Sequence, residues 1–406
     1  MRSLRHHLSL CALLLSAPIG AATLFACASD EEIGFIDAPS DGGADTSALD
    51  DAAVADASVE TDAPLGPSKC SSDGFCHVPL PAEESLRGVW ADGTGIVWAV
   101  SREGDVLRWD GNAWAIHSSG MGVLLTIWGS GPTDMWIGGE AGLFHGQGAT
   151  SASIVFTAVP SDSTIPITSI HGFGPNDVWA VGGRMDGEIE ECRVLHYLGP
   201  TGDPATDWKL DPISSRPIEI SRVWGSTADE VWLGGTTIFG WPQGAVFMRG
   251  RPDGDGGTQF EDVVIRKPDV IESEQFLWVT GGIVLSDTFV IGRLWNGIGA
   301  AWAGHVEADD AGDPNGVGTF WNETTLDGFG ILGVWGRAKD DVWIVGELGR
   351  VRHWDGKTWS LPSVTITKFP LTRDLHAIWG SASGEMWIVG DNTVLHRNPS
   401  APKGDL

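Results

Sequence analysis

The chain has 406 residues, 42% of them hydrophobic and 19% charged, so it can bury a large core as one big domain or two modest ones. Its 25 Lys and Arg stand against 54 Asp and Glu, a formal charge of -29. Such a surface repels phosphate backbones and anionic headgroups, which argues against nucleic acid as a partner.

Residues 1–26 begin with Arg2 and Arg5, continue with a run from Leu8 to Ala17 that is apolar except for Ser9 and Ser16, and end in small residues. This is the pattern of a secretory signal. The ending Leu24, Phe25, Ala26, Cys27 resembles the bacterial lipobox, which implies lipidation of Cys27 and an exported outer-membrane lipoprotein of a Gram-negative bacterium. A plain signal peptide cut near Ala26 or Ala28, giving a secreted protein, and an uncleaved anchor helix are the alternatives. Residues 27–69 hold eleven acids, one lysine and almost no large apolar side chain. They cannot bury enough surface to offset their ordering entropy, so they read as a disordered acidic tether, with the membrane reached only through the lipid.

Cys70 and Cys76 bracket the start of the folded region, 70–406, and in an exported protein they are expected to form a disulfide. Cys192 is left over and reads as a buried or free thiol.

From there a motif recurs: "VWADGTGIVWAVS" at Val89, "IWGSGPTDMWIGG" at Ile127, "IHGFGPNDVWAVG" at Ile170, "VWGSTADEVWLGG" at Val223, "VWGRAKDDVWIVG" at Val334 and "IWGSASGEMWIVG" at Ile378. In each, an aromatic (Trp90, Trp128, His171, Trp224, Trp335, Trp379) stands eight residues before a tryptophan (Trp98, Trp136, Trp179, Trp232, Trp343, Trp387). A degenerate seventh copy, "LWVTGGIVLSDTFVIG", puts Trp278 and Phe289 in these places. Each copy alternates aromatic and β-branched residues between Gly, Asp, Asn and Ser clusters, the signal of short strands joined by hairpins. Seven such units predict an all-β, seven-bladed β-propeller of four-stranded antiparallel blades. The last copy stops after its third strand at "TVLHRN", and "CHVPLP" from Cys76 is expected to supply the missing strand and close the ring.

Recurrence says what the repeated residues do. A ligand needs a site once, whereas packing between blades needs the same ring in every blade, so the tryptophan columns are architecture. Two residues before the second tryptophan stands a carboxylate in six copies (Asp134, Asp177, Glu230, Asp287, Asp341, Glu385; Ile96 is the exception), expected to cap its own turn. On the third strand a basic residue recurs as Arg108, His145, His196, His353 and His396, with Met248 and Leu294 in the irregular copies, and is expected to bond within its blade rather than gather a metal. Glycines after the second tryptophan, such as Gly139, Gly182, Gly235, Gly346 and Gly390, are expected in turn conformations.

The pattern W-G-x4-D-x-W-x-V-G followed by V-x-H-W-D-G-x-x-W resembles secreted β-propeller repeat proteins of Gram-negative bacteria, many of them predicted lipoproteins, and is distantly similar to kelch and neuraminidase repeats. The neuraminidase Asp box is not reproduced, and the single tyrosine, Tyr197, falls at a repeat position equivalent to Trp109 and Trp354 rather than at a nucleophile's place. The resemblance specifies architecture and leaves activity open.

Specificity is then expected in the insertions of copies three to five, the segments beginning at Gly183, Thr236, Arg251 and Gly297, placed on one side of the disc. Trp241, Trp302 and Trp321 lie in them as candidate ligand contacts, and Asp253, Asp255 and Asp262 are weak candidates for calcium, no other cofactor being implied. The function expected is a non-catalytic, monomeric binding or scaffold propeller at the cell envelope that engages protein or carbohydrate. The alternative is a secreted glycan-active hydrolase, for which Glu188, Glu190, Glu191, Glu307, Asp309 and Asp310 are the acids to test.

Overall fold

The structure, a computed structural model, describes residues 70–399 except 187–188, 238–243, 256, 264, 267–275, 286–287, 295–298, 307–317, 321–323, 327–328 and 366–368. The signal, Cys27 and the tether lie outside the described residues.

Seven antiparallel sheets follow one another along the chain. Blade one consists of Leu86–Ala91, Val97–Ser101, Val106–Trp109 and Trp114–Ser118, hydrogen-bonded in that order, and blades two, three, four and six repeat the plan. In blade seven the strands Leu375–Gly380, Met386–Gly390 and Thr393–Arg397 are completed by Phe75–His77 from the other end of the chain, with Cys76 opposite His396. Val78 N–H continues the ladder to Val394 O at 3.0 Å. Cys70 and Cys76 are disulfide-bonded beside this closing strand.

Blade five departs from the four-stranded plan. Its third strand, Gly299–Val306, pairs along one half with Gly318–Phe320 and along the other with Thr324–Leu326, and Ile265–Arg266 adds a parallel strand outside, six strands in all. The register also corrects the reading of its repeat. In the other blades the two aromatic columns face each other across the first hairpin, as Trp90 faces Trp98 and Trp335 faces Trp343. In blade five Phe289 faces Ile283, while Trp278 faces Arg293 and is 39% exposed. Two bulges on the inner strand shift the frame, so sequence spacing alone selected the wrong partner.

The core lies between blades. One cluster joins Trp98, Val100 and Val106 of blade one to Leu124, Ile127 and Ile137 of blade two. Equivalent clusters bridge every later pair, and Trp387, Val389 and Val394 of blade seven return to Leu86, Val89 and Trp114 of blade one. The second-column tryptophans are buried to 0–4% exposure. Each indole removed from water contributes about 3 kcal/mol or more, and blade five buries Phe289 in the same place.

The carboxylate and basic columns meet on that indole. Asp134 accepts from His145 Nε2 at 2.7 Å, Asp177 from His196 at 2.8 Å, Asp341 from His353 at 2.7 Å and Glu385 from His396 at 2.8 Å. Each imidazole stacks on its tryptophan, His145 on Trp136 with centroids 3.7 Å apart. The carboxylates thus bond across the strand pair, and Asp134 also accepts from Ser130 Oγ and Asp341 from Arg337 within their own turns. In blade four the residue facing Trp232 is Arg249, not its neighbour Met248; it lies over the indole and pairs with Glu230 at 2.9 Å. In blade five Leu294 lies on the second strand, and Ala303 faces Phe289. Blade one, with Ile96 in the carboxylate's place, sends Arg108 to Ser151 Oγ at 2.9 Å.

The glycines after the second tryptophan are explained by proximity, not by turns. A Cβ on Gly182 would stand 1.6 Å from Pro166 O, on Gly235 1.9 Å from Glu219 O, and on Gly390 1.9 Å from Asp374 O. The chain entering each blade crosses so close to these positions that no side chain fits.

Candidate functional site

The first strands of the blades contact one another in a closed circuit around the ring axis. In blades one, two, four, six and seven that strand bulges near its start, leaving Arg87, Leu125, Ser221, Leu332 and His376 out of the ladder. Most are apolar or small; Arg87 and His376 are not. Ring closure makes blades one and seven neighbours, so these two residues, 289 apart in sequence, touch: Arg87 Nη1 lies 2.7 Å from His376 Nε2. Arg87 Nη2 donates to Ser85 Oγ at 3.0 Å, Ser85 Oγ donates to Asp391, and Asp391 Oδ1 lies 3.0 Å from His376 Nε2.

The electrostatics of this group follow from its partial burial. Desolvation lowers the Arg87 pKa, and desolvation together with the Arg87 charge lowers that of His376, so the imidazole is neutral. Burial would raise Asp391, but the bonds from Ser85 and His376 and the Arg87 charge outweigh it and hold the carboxylate ionised. Next to Ser85, Glu84 is 3% exposed. Burial pushes its carboxyl up to about 7, Ser101 draws it back, and the nearby Asp105 carboxylate raises it again. Its Oε2 has no hydrogen-bond partner among the described residues. A hydroxyl, an imidazole and a carboxylate are thus together, yet the hydroxyl donates to the carboxylate and not to the imidazole, which is an arrangement for holding charge rather than for activating a nucleophile.

A second group occupies the same end of the strands in blades three and four. Glu190, 6% exposed, accepts from Thr237 Oγ1 at 2.6 Å, and Arg184 pairs with Glu191 at 2.8 Å on the long hairpin Asp177–Asp186 to Ile189–Tyr197. Arg222 donates to Thr280 O at 2.8 Å and Ser221 O at 2.7 Å; burial lowers its pKa and raises that of Glu219.

The insertions do not all lie on one side. Those beginning at Gly183 and Thr236 lengthen hairpins between second and third strands, at the end where the Arg87 group sits. The one beginning at Arg251 joins third to fourth strand, which antiparallel pairing puts at the opposite end. Trp302 is on a strand, facing Val290, with its side chain outside the described residues, as are Trp241 and Trp321. Asp253 accepts from the backbone of Asp255 and Gly257 in its own turn, while Asp262, at the far end of the strand Thr258–Asp262, pairs with Arg216 at 2.8 Å. These three are not brought together, and no group of three metal-ligating side chains occurs among the described residues. Glu188, Glu307, Asp309, Asp310 and Asp287 lie outside them. Cys192 is buried, its thiol pushed up to about 11 by desolvation, which makes it inert.

The Arg87 group was missed in the sequence because its members come from the two ends of the chain. Its signal was a charged or ionisable residue where other copies carry leucine or serine.

The chain is a β-propeller, and the comparisons with solved structures agree. It is similar to YCF48 from Cyanidioschyzon merolae, 16% identical over 81% of this chain and 100% of that one, with a TM-score of 0.57. It is also similar to a structure of YCF48 bound to D1 peptide (16% identity, 81% and 99% of the two chains, TM-score 0.54). A third likeness is to the extracellular domain of the hybrid two component system BT4673 from B. thetaiotaomicron (11% identity, 81% and 40%, TM-score 0.59). At such identities the shared property is the fold. No family model and no curated protein matches the sequence.

Proposed function

We propose that the protein is a non-catalytic binding propeller of the cell envelope, held by a lipid on Cys27 at the end of its acidic tether, that takes a protein segment at the ring-axis end carrying Arg87 and His376. The observation that carries this reading is the non-repeated Arg87–His376–Asp391–Ser85 network, on the same end as the two lengthened hairpins of blades three and four. Repeated residues hold the ring together, whereas this group occurs once and places polar and charged groups beside the axis. The described binding of a peptide by YCF48, a propeller of similar size, supports a peptide-binding use of the fold.

The test is binding of the full chain to an immobilised peptide library, repeated with Arg87→Ala and His376→Ala. Loss of the bound peptides, with an unchanged melting midpoint, is the expected result. Retention of the whole binding profile by both variants would remove the ring-axis site. Tethering is checked separately: an alkyne fatty acid should label the wild type in a Gram-negative host and not Cys27→Ser.

A further inference from the structure

Away from the ring axis, a cleft of about 320 Å³ opens between the outer parts of blades two and three. Its origin is a single departure from the repeat. In blades one and six the aromatic ending the third strand and the one starting the fourth, Trp109 with Trp114 and Trp354 with Trp359, are joined by a four-residue turn closed by Asp110 or Asp355. In blade three the equivalent pair is Tyr197 and Trp208, and residues 198–207 between them form a longer loop, pinned by Thr201 N–H on Asp207 Oδ1 at 2.7 Å. That loop and the outer strand of blade two, Val155–Ala158, are the two walls.

The floor is aromatic. Trp136 lies edge-on to Trp208 with centroids 4.9 Å apart, Tyr197 packs 5.4 Å from Trp208, and His145 is stacked on Trp136. Tyr197 is the only tyrosine of the chain and is 5% exposed, yet its hydroxyl has no hydrogen-bond partner among the described residues. Burial, then the charges of Asp207 and Asp134, raise its pKa, so it stays a donor. Gln147, Thr157 and Asp207 add polar groups to the rim.

The geometry points to a saccharide site, and specifically to a neutral pyranoside. An aromatic floor beside a tyrosine hydroxyl that no described residue satisfies suits a molecule with one C–H face and equatorial hydroxyls, and the volume suits one or two sugar rings. Asp134 and Asp207, on a chain of charge -29, select against acidic sugars. This site is independent of the ring-axis reading.

The experiment is calorimetric titration of the full chain with cellobiose, lactose and N,N'-diacetylchitobiose, with sialyllactose and a proline-rich peptide alongside. At least one neutral disaccharide should bind, Tyr197→Phe should weaken it about tenfold with an unchanged melting midpoint, and Arg87→Ala should leave it unaltered. The conservative variant is tolerable because Trp109 and Trp354 fill the same position without a hydroxyl. No binding by any neutral disaccharide, equal affinity in Tyr197→Phe, or preference for sialyllactose or the peptide would overturn the assignment.

Discussion

Trp90 of blade one rests on Gly129 of blade two: a methyl group placed on Gly129 would stand 2.7 Å from its six-membered ring. A glycine likewise receives Trp128 at Gly172, Trp224 at Gly282 and Trp335 at Gly380, and in blades two, three and seven it is the residue following the first aromatic, kept small to take the indole of the preceding blade. Gly129→Ala should therefore cost about 1–3 kcal/mol in urea unfolding. Gly182→Ala, which meets backbone at 1.6 Å, should cost more, about 4 kcal/mol or the fold itself. Equal stabilities for the two variants would contradict this account.

Removing Asp341 should be among the costlier changes to the carboxylate column. Its carboxylate accepts from Trp343 Nε1 at 2.8 Å and His353 Nε2 at 2.7 Å, and pairs with Arg337. Asp341→Ala leaves a buried indole N–H and an imidazole N–H without an acceptor, a loss of about 3 kcal/mol read from the denaturation midpoint. Glu385→Ala, whose carboxylate bonds only His396 among the described residues, should cost less.

Two groups make stability depend on pH with opposite signs. Burial lowers His171 from 6.5 to about 4, so between those values the unfolded chain takes up a proton that the native state refuses. Stability from this group is complete above 6.5 and is lost as the pH falls towards 4, by up to about 3 kcal/mol. Glu84, raised by burial from 4.5 to about 7, contributes stability that is complete below 4.5 and is lost as the pH rises through 7. Between 4.5 and 6.5 the slopes oppose. Glu84→Gln fixes the neutral form, so its denaturation midpoint should exceed that of the wild type at pH 8 and should fall steadily from pH 7 to 4.5. A variant with a flat profile would show that His171 titrates normally.

Reduction of the disulfide, or Cys70→Ser with Cys76→Ser, should lower stability by about 2 kcal/mol, the loop-closure entropy of so short a ring. The loss should appear as earlier proteolysis within the closing strand Phe75–His77, because Phe75, 0% exposed, is anchored between Trp343 of blade six and Leu395 of blade seven. Cleavage elsewhere first would mean that the disulfide does not guard the closure.

Much of the architecture was legible because it is repeated. Spacing of eight residues between aromatics fixes a hairpin register, and six occurrences of it with a seventh, degenerate copy close as a ring in which each blade covers the next. The pairing of the closing strand with Thr393–Arg397 was equally visible, since the last copy lacked a strand and the first was preceded by one. Where regularity failed, so did the reading: bulges moved Trp278 out of the aromatic column, and one residue of register separated Met248 from Arg249.

What the sequence by itself determined, then, is the period, the strand order and the chemistry of the columns, because these rest on contacts between residues a fixed short distance apart. Only the tertiary structure decided which ends of the strands carry the insertions, why glycine follows the second tryptophan in blades two, three, four, six and seven where blade one carries Ser101, and that Arg87 meets His376 and Asp391. Those outcomes depend on how antiparallel strands alternate direction and on ring closure, which brings together groups nearly three hundred residues apart, and no local pattern encodes a contact of that range.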